Sequence, residues 1–250
     1  MDFIVATLLP QMMLEASLTQ GVAAAAAGDG DDDGVSSFVK ALQQHMANEA
    51  SRARAIVAVC SSMSLIAALA LILCFLVFQE SRRCGRRLLF CLHLADAGAA
   101  CAWLLVLWLP EANPDAGAAS YTTPGVCYAQ GYLLLFFLLA SYLWTACFAF
   151  HLFQLLGRRI KAPEVYEGRY HLVSWGVPLF TVLHVYLQQA LGYHLVGESG
   201  LPWCWLRSWS DFEWVAGAVY VQLGVFYGPV LLIWLHNVAT YLSLLYKMQS

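Results

Sequence analysis

The sequence predicts an all-α polytopic membrane protein, and three observations carry that prediction. Of its 250 residues 60% are hydrophobic and 12% charged, against a usual charged share of roughly 25%. The apolar residues come in long blocks instead of alternating, which excludes an outer-membrane barrel with strands of about ten alternating residues. The stretch from Cys127 to Leu156, CYAQGYLLLFFLLASYLWTACFAFHLFQLL, holds no Asp, Glu, Lys or Arg. A helix of that length rises about 45 Å, more than the roughly 30 Å of hydrocarbon it has to cross. As a soluble helix it has no polar face to offer water.

Taken in order, MDFIVATLLPQMMLEASL begins with an acid and lacks the basic start of a signal peptide. GVAAAAAGDGDDDG has the composition of a flexible acidic linker, and SFVKALQQHMANEASRAR that of a polar helical lead-in. Residues 1–55 are thus expected to be a flexible, acidic, Ala- and Gly-rich amino-terminal segment. Residues 56–246 form the transmembrane domain, with helices at about 55–78, 88–109, 127–156, 171–195 and 214–246, and 247–250 as a short cytoplasmic end. Pro163 stops one helix. The Gly176-Val177-Pro178 step is expected to bend the fourth span, and Pro229 lies near the middle of the fifth. The loop GESGLPWCWLRSWSDFEW carries Trp203, Trp205, Trp209 and Trp214, which suits an aromatic belt and a loop folded over the outer mouth of the bundle.

Charge sets the expected orientation. Arg82, Arg83, Arg86 and Arg87 fill the first loop, and Arg158, Arg159, Lys161 and Arg169 the third. The second loop has only Glu111 and Asp115, and the fourth has one Arg against Glu198, Asp211 and Glu213. The positive-inside rule therefore puts the amino terminus outside and the carboxyl terminus inside, with Arg52 and Arg54 pulling weakly the other way. The two basic loops are the candidate inner-surface contacts, for anionic lipid or for a protein.

Eight cysteines are scattered without a CxxC pair. Cys60, Cys74, Cys91, Cys101 and Cys147 lie inside apolar runs and read as small buried thiols. Cys127, at the outer end of span three, and Cys204, in the outer loop, both face an oxidising compartment. A bridge between them would clip the tryptophan-rich loop over span three; the alternative is two unpaired thiols.

Asp96 stands about 12 Å inside span two, where a carboxylate costs a few kcal/mol unless paired or hydrated. It is either an activation relay or ion site at the bundle centre, or a neutral structural carboxyl, and His93 one turn earlier can share its network. His184, His236 and Asn237 are the other polar groups at depth, whereas His151 and His171 lie near the inner surface within reach of water. No HxxxH or HxxH pair exists on one helix, and the cysteine spacing offers no metal site. Nucleophile-elbow, phosphate-loop and paired-carboxylate motifs are also missing, so neither a cofactor nor an enzyme activity is expected. The net charge of -3 is small and says little about partners, and the lack of a long basic surface leaves a nucleic-acid partner without support.

Five pieces in order, RRLLFCLHLAD, CYAQG, ASYLWTACFAFHLF, HLVSWGVPL and PWCW, make the chain resemble the seven-helix G-protein-coupled receptors. It is similar above all to the slime-mould cyclic-AMP receptors and their orphan relatives. The resemblance implies a helical bundle of the seven-transmembrane receptor type, of which five transmembrane helices are present. It also implies the Cys127–Cys204 disulfide, a relay role for Asp96, and framework roles for Trp144, Thr145, Trp175, Gly176 and Pro178; Pro229 and Asn237 are grouped with them. The function it implies is transduction of an unknown extracellular signal to a heterotrimeric G protein from the plasma membrane. The binding cavity is expected beneath the Cys204 loop. Because the sequence stops after the fifth span, an incomplete chain is expected. The alternative is a non-signalling five-helix scaffold or partner of full-length receptors.

Overall fold

The computed structural model describes residues 32–78, 84–109, 124–158, 163–193, 195–198, 202–207, 209–210, 213–214 and 220–249. The chain divides into two units, Met1–Glu49 with Asn113–Gly117, and Ala50–Ala112 with Ala118–Ser250. In the first, residues 32–49 are described and are helical. The second is a helix bundle carrying two short hairpins.

Helix α1 spans Asp32–Val77, so the polar lead-in and the first span are one helix. The amino-terminal stretch and the alanine run expected as a linker fall outside the described residues. Helix α2, Cys84–Leu104, tightens into a 3-10 turn at Leu105–Trp108. Helix α3, Pro124–Leu152, starts on a proline, whose missing N–H is no loss in a first turn. It ends in a π turn at Phe153–Gly157.

A 3-10 turn at Pro163–Tyr166 leads into α4, Glu167–Ala190. This helix sits earlier than the expected 171–195, because its polar first turn, EGRY, is helical and not loop. It runs through Pro178 without a break in the α-helical assignment. The fifth helical segment is described from residue 220, with a π turn at Leu223–Tyr227 followed by α5, Gly228–Gln249. Pro229 cannot bond the carbonyl four residues back, and the π turn just before it absorbs the mismatch. A Cβ on Gly228 would collide with the carbonyl oxygen of Leu223, so the turn needs glycine there.

Among the described residues, four helical segments are long and apolar enough to cross a membrane: Ala47–Val77, Gly85–Trp108, Gly125–Gly157 and Tyr220–Gln249. Helix α4 falls short of that hydropathy, since Glu167, Arg169, His171, His184, Gln188 and Gln189 dilute it. Exposed Ile56, Val59, Ile66 and Leu73 on α1, and Leu231, Leu232, Leu235 and Leu242 on α5, offer lipid a continuous apolar surface. The chain is an integral membrane protein.

Helix α3 is the hub, contributing to both cores. One core gathers Ala102, Leu134, Leu135, Leu139, Val185, Val196, Trp205, Leu206 and Phe226. The other gathers Leu88, Cys91, Ala95, Ala140, Trp144, Cys147 and Tyr170. Close approach of α2 to α3 depends on small residues: Ala95 and Ala102 are buried, and a Cβ on Gly98 would overlap the Phe137 ring. Three of the thiols expected to be buried, Cys60, Cys74 and Cys101, are exposed, while Cys91 and Cys147 are buried. A thiol is apolar enough to face lipid, so lying in an apolar run did not decide its side.

Candidate functional site

The Cys127 end of α3 is covered by a hairpin. Strand β1, Val196–Glu198, pairs antiparallel with β2, Cys204–Leu206, in the register Val196↔Leu206, Gly197↔Trp205 and Glu198↔Cys204. A second pair, β3 at Trp209–Ser210 and β4 at Glu213–Trp214, follows it. Cys204 is bonded to Cys127 with an S–S distance of 2.02 Å and a Cα–Cα distance of 5.2 Å. All three residues of β2 are buried. Trp205 meets Phe226 edge-on at 4.9 Å, and Trp203 meets Trp103 edge-on at 5.3 Å.

Three glutamines from three helical segments hold the hairpin backbone. Gln130 of α3, 0% exposed, accepts from the Cys204 N–H at 2.8 Å and donates to the Ala102 carbonyl at 3.4 Å. Gln189 of α4 accepts from the N–H groups of Leu195 and Val196 at 2.8 and 3.0 Å and donates to the Val196 carbonyl at 3.4 Å. Gln222 donates to the Leu206 carbonyl at 2.9 Å. Arg54 of α1 adds a fourth hold, with Nε 3.2 Å from the Pro202 carbonyl and a guanidinium nitrogen 3.4 Å from that of Leu109. Its charge had counted only as a contrary topology signal, although it ties α1 to the hairpin turn. Sequence reasoning passed over all three glutamines. The available signal was an amide in an apolar segment, which needs partners.

Beneath the Cys204 loop the described residues of the hairpin pack directly on α3. Val196, Trp205 and Leu206 pack among Leu134, Leu135 and Leu139 of α3. Val196 fits only because residue 131 is glycine, since a Cβ there would overlap its Cγ1.

Deeper in the bundle, Asp96 is engaged on both oxygens. Ser141 Oγ donates to Oδ1 at 2.6 Å, and His93 Nδ1 lies 3.5 Å from Oδ2. Ser141, absent from the sequence-based set, is thus the partner that joins α2 to α3. Thr145 Oγ1 turns back to the Ser141 carbonyl at 2.9 Å and makes a bond local to α3.

Trp144 is fully buried, edge-on to His171 at 4.9 Å and to Trp175 at 5.8 Å. Its Nε1 has no hydrogen-bond partner among the described residues. Trp175 also stacks on Phe136 at 6.0 Å, and Pro178 is buried. Among the described residues, a Cβ on Gly176 would meet Leu172 at an ordinary 3.7 Å. Asn237 is half-buried, with Oδ1 unpartnered among the described residues. His184 and His236 lie on exposed faces of their helices.

At the opposite end, Arg87 bonds Glu167 at 2.6 Å, joining α2 to the first turn of α4. Lys247 of α5 donates to the Gly157 carbonyl at 3.2 Å and lies 5.0 Å from the Phe153 ring, which Arg158 also approaches, at 5.7 Å. Arg86 is exposed. Arg82, Arg83, Arg159 and Lys161 lie outside the described residues. His151, expected within reach of water, is only 3% exposed. Gly85 leaves room for its ring, which meets Tyr170 edge-on at 6.1 Å.

Residues 43–248 match the family described as slime mold cyclic AMP receptor. Among curated proteins the chain is 28% identical over 190 residues to cyclic AMP receptor-like protein A of Dictyostelium discoideum, covering 76% of this chain and 44% of that one. It is 29% identical over 190 residues to G-protein coupled receptor 1 of Arabidopsis thaliana, covering 76% and 51%. It is 27% identical over 155 residues to G-protein coupled receptor 157 of Homo sapiens, covering 61% and 43%. The chain thus spans about half the length of the curated relatives it matches. Squid rhodopsin shares its fold, with a TM-score of 0.54 at 12% identity, over 78% of this chain and 51% of that structure. On the family match, which takes in every helix of the bundle, the chain belongs to the slime mold cyclic AMP receptor family.

Proposed function

We propose that this chain is the sensing part of a cell-surface receptor that passes an extracellular signal to a heterotrimeric G protein. Residues 1–55 and the Cys204 hairpin face outside in this reading, and the ends of α1, α3 and α5 at Val77, Gly157 and Gln249 face the cytoplasm. The observation that carries the proposal is the Asp96 site. A carboxylate within the membrane is expensive unless it does something. Here it is tied to Ser141 on the hub helix and faces His93. A rearrangement of α3 at the hairpin would change that site first, and then the contacts of Arg87, Arg158 and Lys247 at the cytoplasmic end. Cyclic AMP, named in the Dictyostelium relatives, is the first ligand to try.

The test compares wild type with Asp96→Asn in the protein as its transcript encodes it. Surface level and stimulus-driven nucleotide exchange on the G protein are both measured. The proposal expects normal surface level with exchange reduced about tenfold or more. Unchanged exchange at equal surface level would remove Asp96 from the relay.

A further inference from the structure

We infer that α4 is the seam of a parallel dimer of this chain, in which His184 hydrogen-bonds its own copy across a two-fold axis along the membrane normal. The inference takes α4 as a membrane span and does not need the receptor reading. Nearly every polar side chain on α4 has its contact. Glu167 pairs with Arg87, Arg169 lies over the Tyr166 ring, and His171 meets Trp144. Ser174 meets Cys147, Thr181 bonds the Val177 carbonyl, and Gln189 holds the β1 backbone. His184 and Gln188 are left over, with no side-chain hydrogen bond among the described residues. His184 stands six residues before Ala190, about 9 Å below the outer end of the helix. An imidazole in hydrocarbon without a partner is unfavourable, and such groups mark helix contacts.

The face that carries His184 has the spacing of a coiled coil. Val173, Val177, Phe180, His184, Leu187 and Leu191 follow one another in alternating steps of four and three residues. All six are exposed, the apolar ones from 41% at Val173 to 74% at Leu191. The adjoining face buries Tyr170, Ser174, Pro178 and Val185 in the bundle. Two copies in one bilayer share their orientation, so their α4 helices run parallel and each core position meets its own copy. A neutral imidazole has one donor and one acceptor, which makes His184 complementary to itself. One ring donates its N–H to the bare nitrogen of the other, and Gln188, one turn on, flanks the pair. From Val173 to Leu191 the seam is about 28 Å long, and at a helix width near 10 Å it buries about 300 Å² per copy. That is well under the roughly 800 Å² of a stable soluble complex. The dimer is therefore weak and reversible, and one polar pair sets its register.

The test uses the whole chain in sterol-free phosphatidylcholine vesicles, with a fluorophore on a carboxyl-terminal tag. Energy transfer between copies is followed as the protein-to-lipid ratio rises. His184→Leu is expected to move the midpoint at least threefold towards higher protein. His184→Asn, which keeps a donor and an acceptor, should bring it back. A second measurement leaves His184 intact. Leu187 and Leu183 are equally exposed, at 52% and 51%, but Leu187 is on the seam and Leu183 is not. Under copper phenanthroline, Leu187→Cys should link two copies of its own peptide at least fivefold faster than Leu183→Cys, with the link identified by mass. Absence of energy transfer, a midpoint unmoved by His184→Leu, or equal linking at the two positions overturns the dimer. Failure of the receptor reading in the exchange assay touches neither measurement.

Discussion

Two buried glutamines on the same helical stretch should respond oppositely to the same substitution. Gln130 is 0% exposed and Gln154 is 2% exposed. Gln130→Leu leaves the Cys204 N–H buried without its 2.8 Å acceptor, at a cost of about 1–3 kcal/mol. The Ala102 carbonyl adds little, since the bond lost there is 3.4 Å long. For a chain of this size that loss lowers Tm by about 2–10 °C. Gln154 Oε1 has no partner among the described residues, so Gln154→Leu removes a desolvated acceptor. Its effect should stay within about 1 kcal/mol, on the stabilising side. Tryptophan fluorescence during thermal unfolding of the purified chain in detergent reads both. If Gln130→Leu unfolds at or above the temperature of Gln154→Leu, the amide of Gln130 does not anchor the hairpin and the reasoning is refuted.

Other substitutions probe separate joints. Cys204→Ser opens a cross-link between residues 77 apart, worth up to about 4.5 kcal/mol in the chain-entropy limit; the Tm loss should vanish when both proteins are compared under reductant. Arg54→Met forfeits two bonds to carbonyls, about 1–3 kcal/mol. It should speed hydrogen exchange at the Arg207 N–H, which bonds the Leu195 carbonyl at 2.7 Å, more than in α3. Trp144→Phe removes an N–H that has no partner among the described residues, so it should cost only about 1 kcal/mol. That compares with roughly 3–5 kcal/mol for emptying such a site with Ala, and urea titration of the two variants separates them.

The helices were legible wherever physics leaves one solution. A run without charge from Cys127 to Leu156 has to be a buried or membrane helix, and it proved to be the hub. Asp96 was legible because an acid in a span needs a reason, and Cys127 with Cys204 because both lie at the weakly basic end. The hairpin was not. Its strands, VGE and CWL, are three residues long and buried on both sides at β2, so no alternation marks them. Ser141 was silent for a related reason: a serine in a span usually bonds its own helix, as Thr145 does here. The start of α4 was misplaced because a polar first helical turn and a polar loop have the same composition. His151 was put in reach of water from its position along α3, but the helix face is set by neighbours such as Gly85 and Tyr170.

The central claim, that a signal enters at the hairpin and leaves at the far end of α3, depends on which side of the membrane each end occupies. Epitope tags fused to the amino and carboxyl ends, read by antibody on intact and then permeabilised cells, test it most directly. The account predicts that the amino-terminal tag is read on intact cells and the carboxyl-terminal tag only after permeabilisation. The opposite pattern would place the Cys204 hairpin in the cytoplasm and contradict the account.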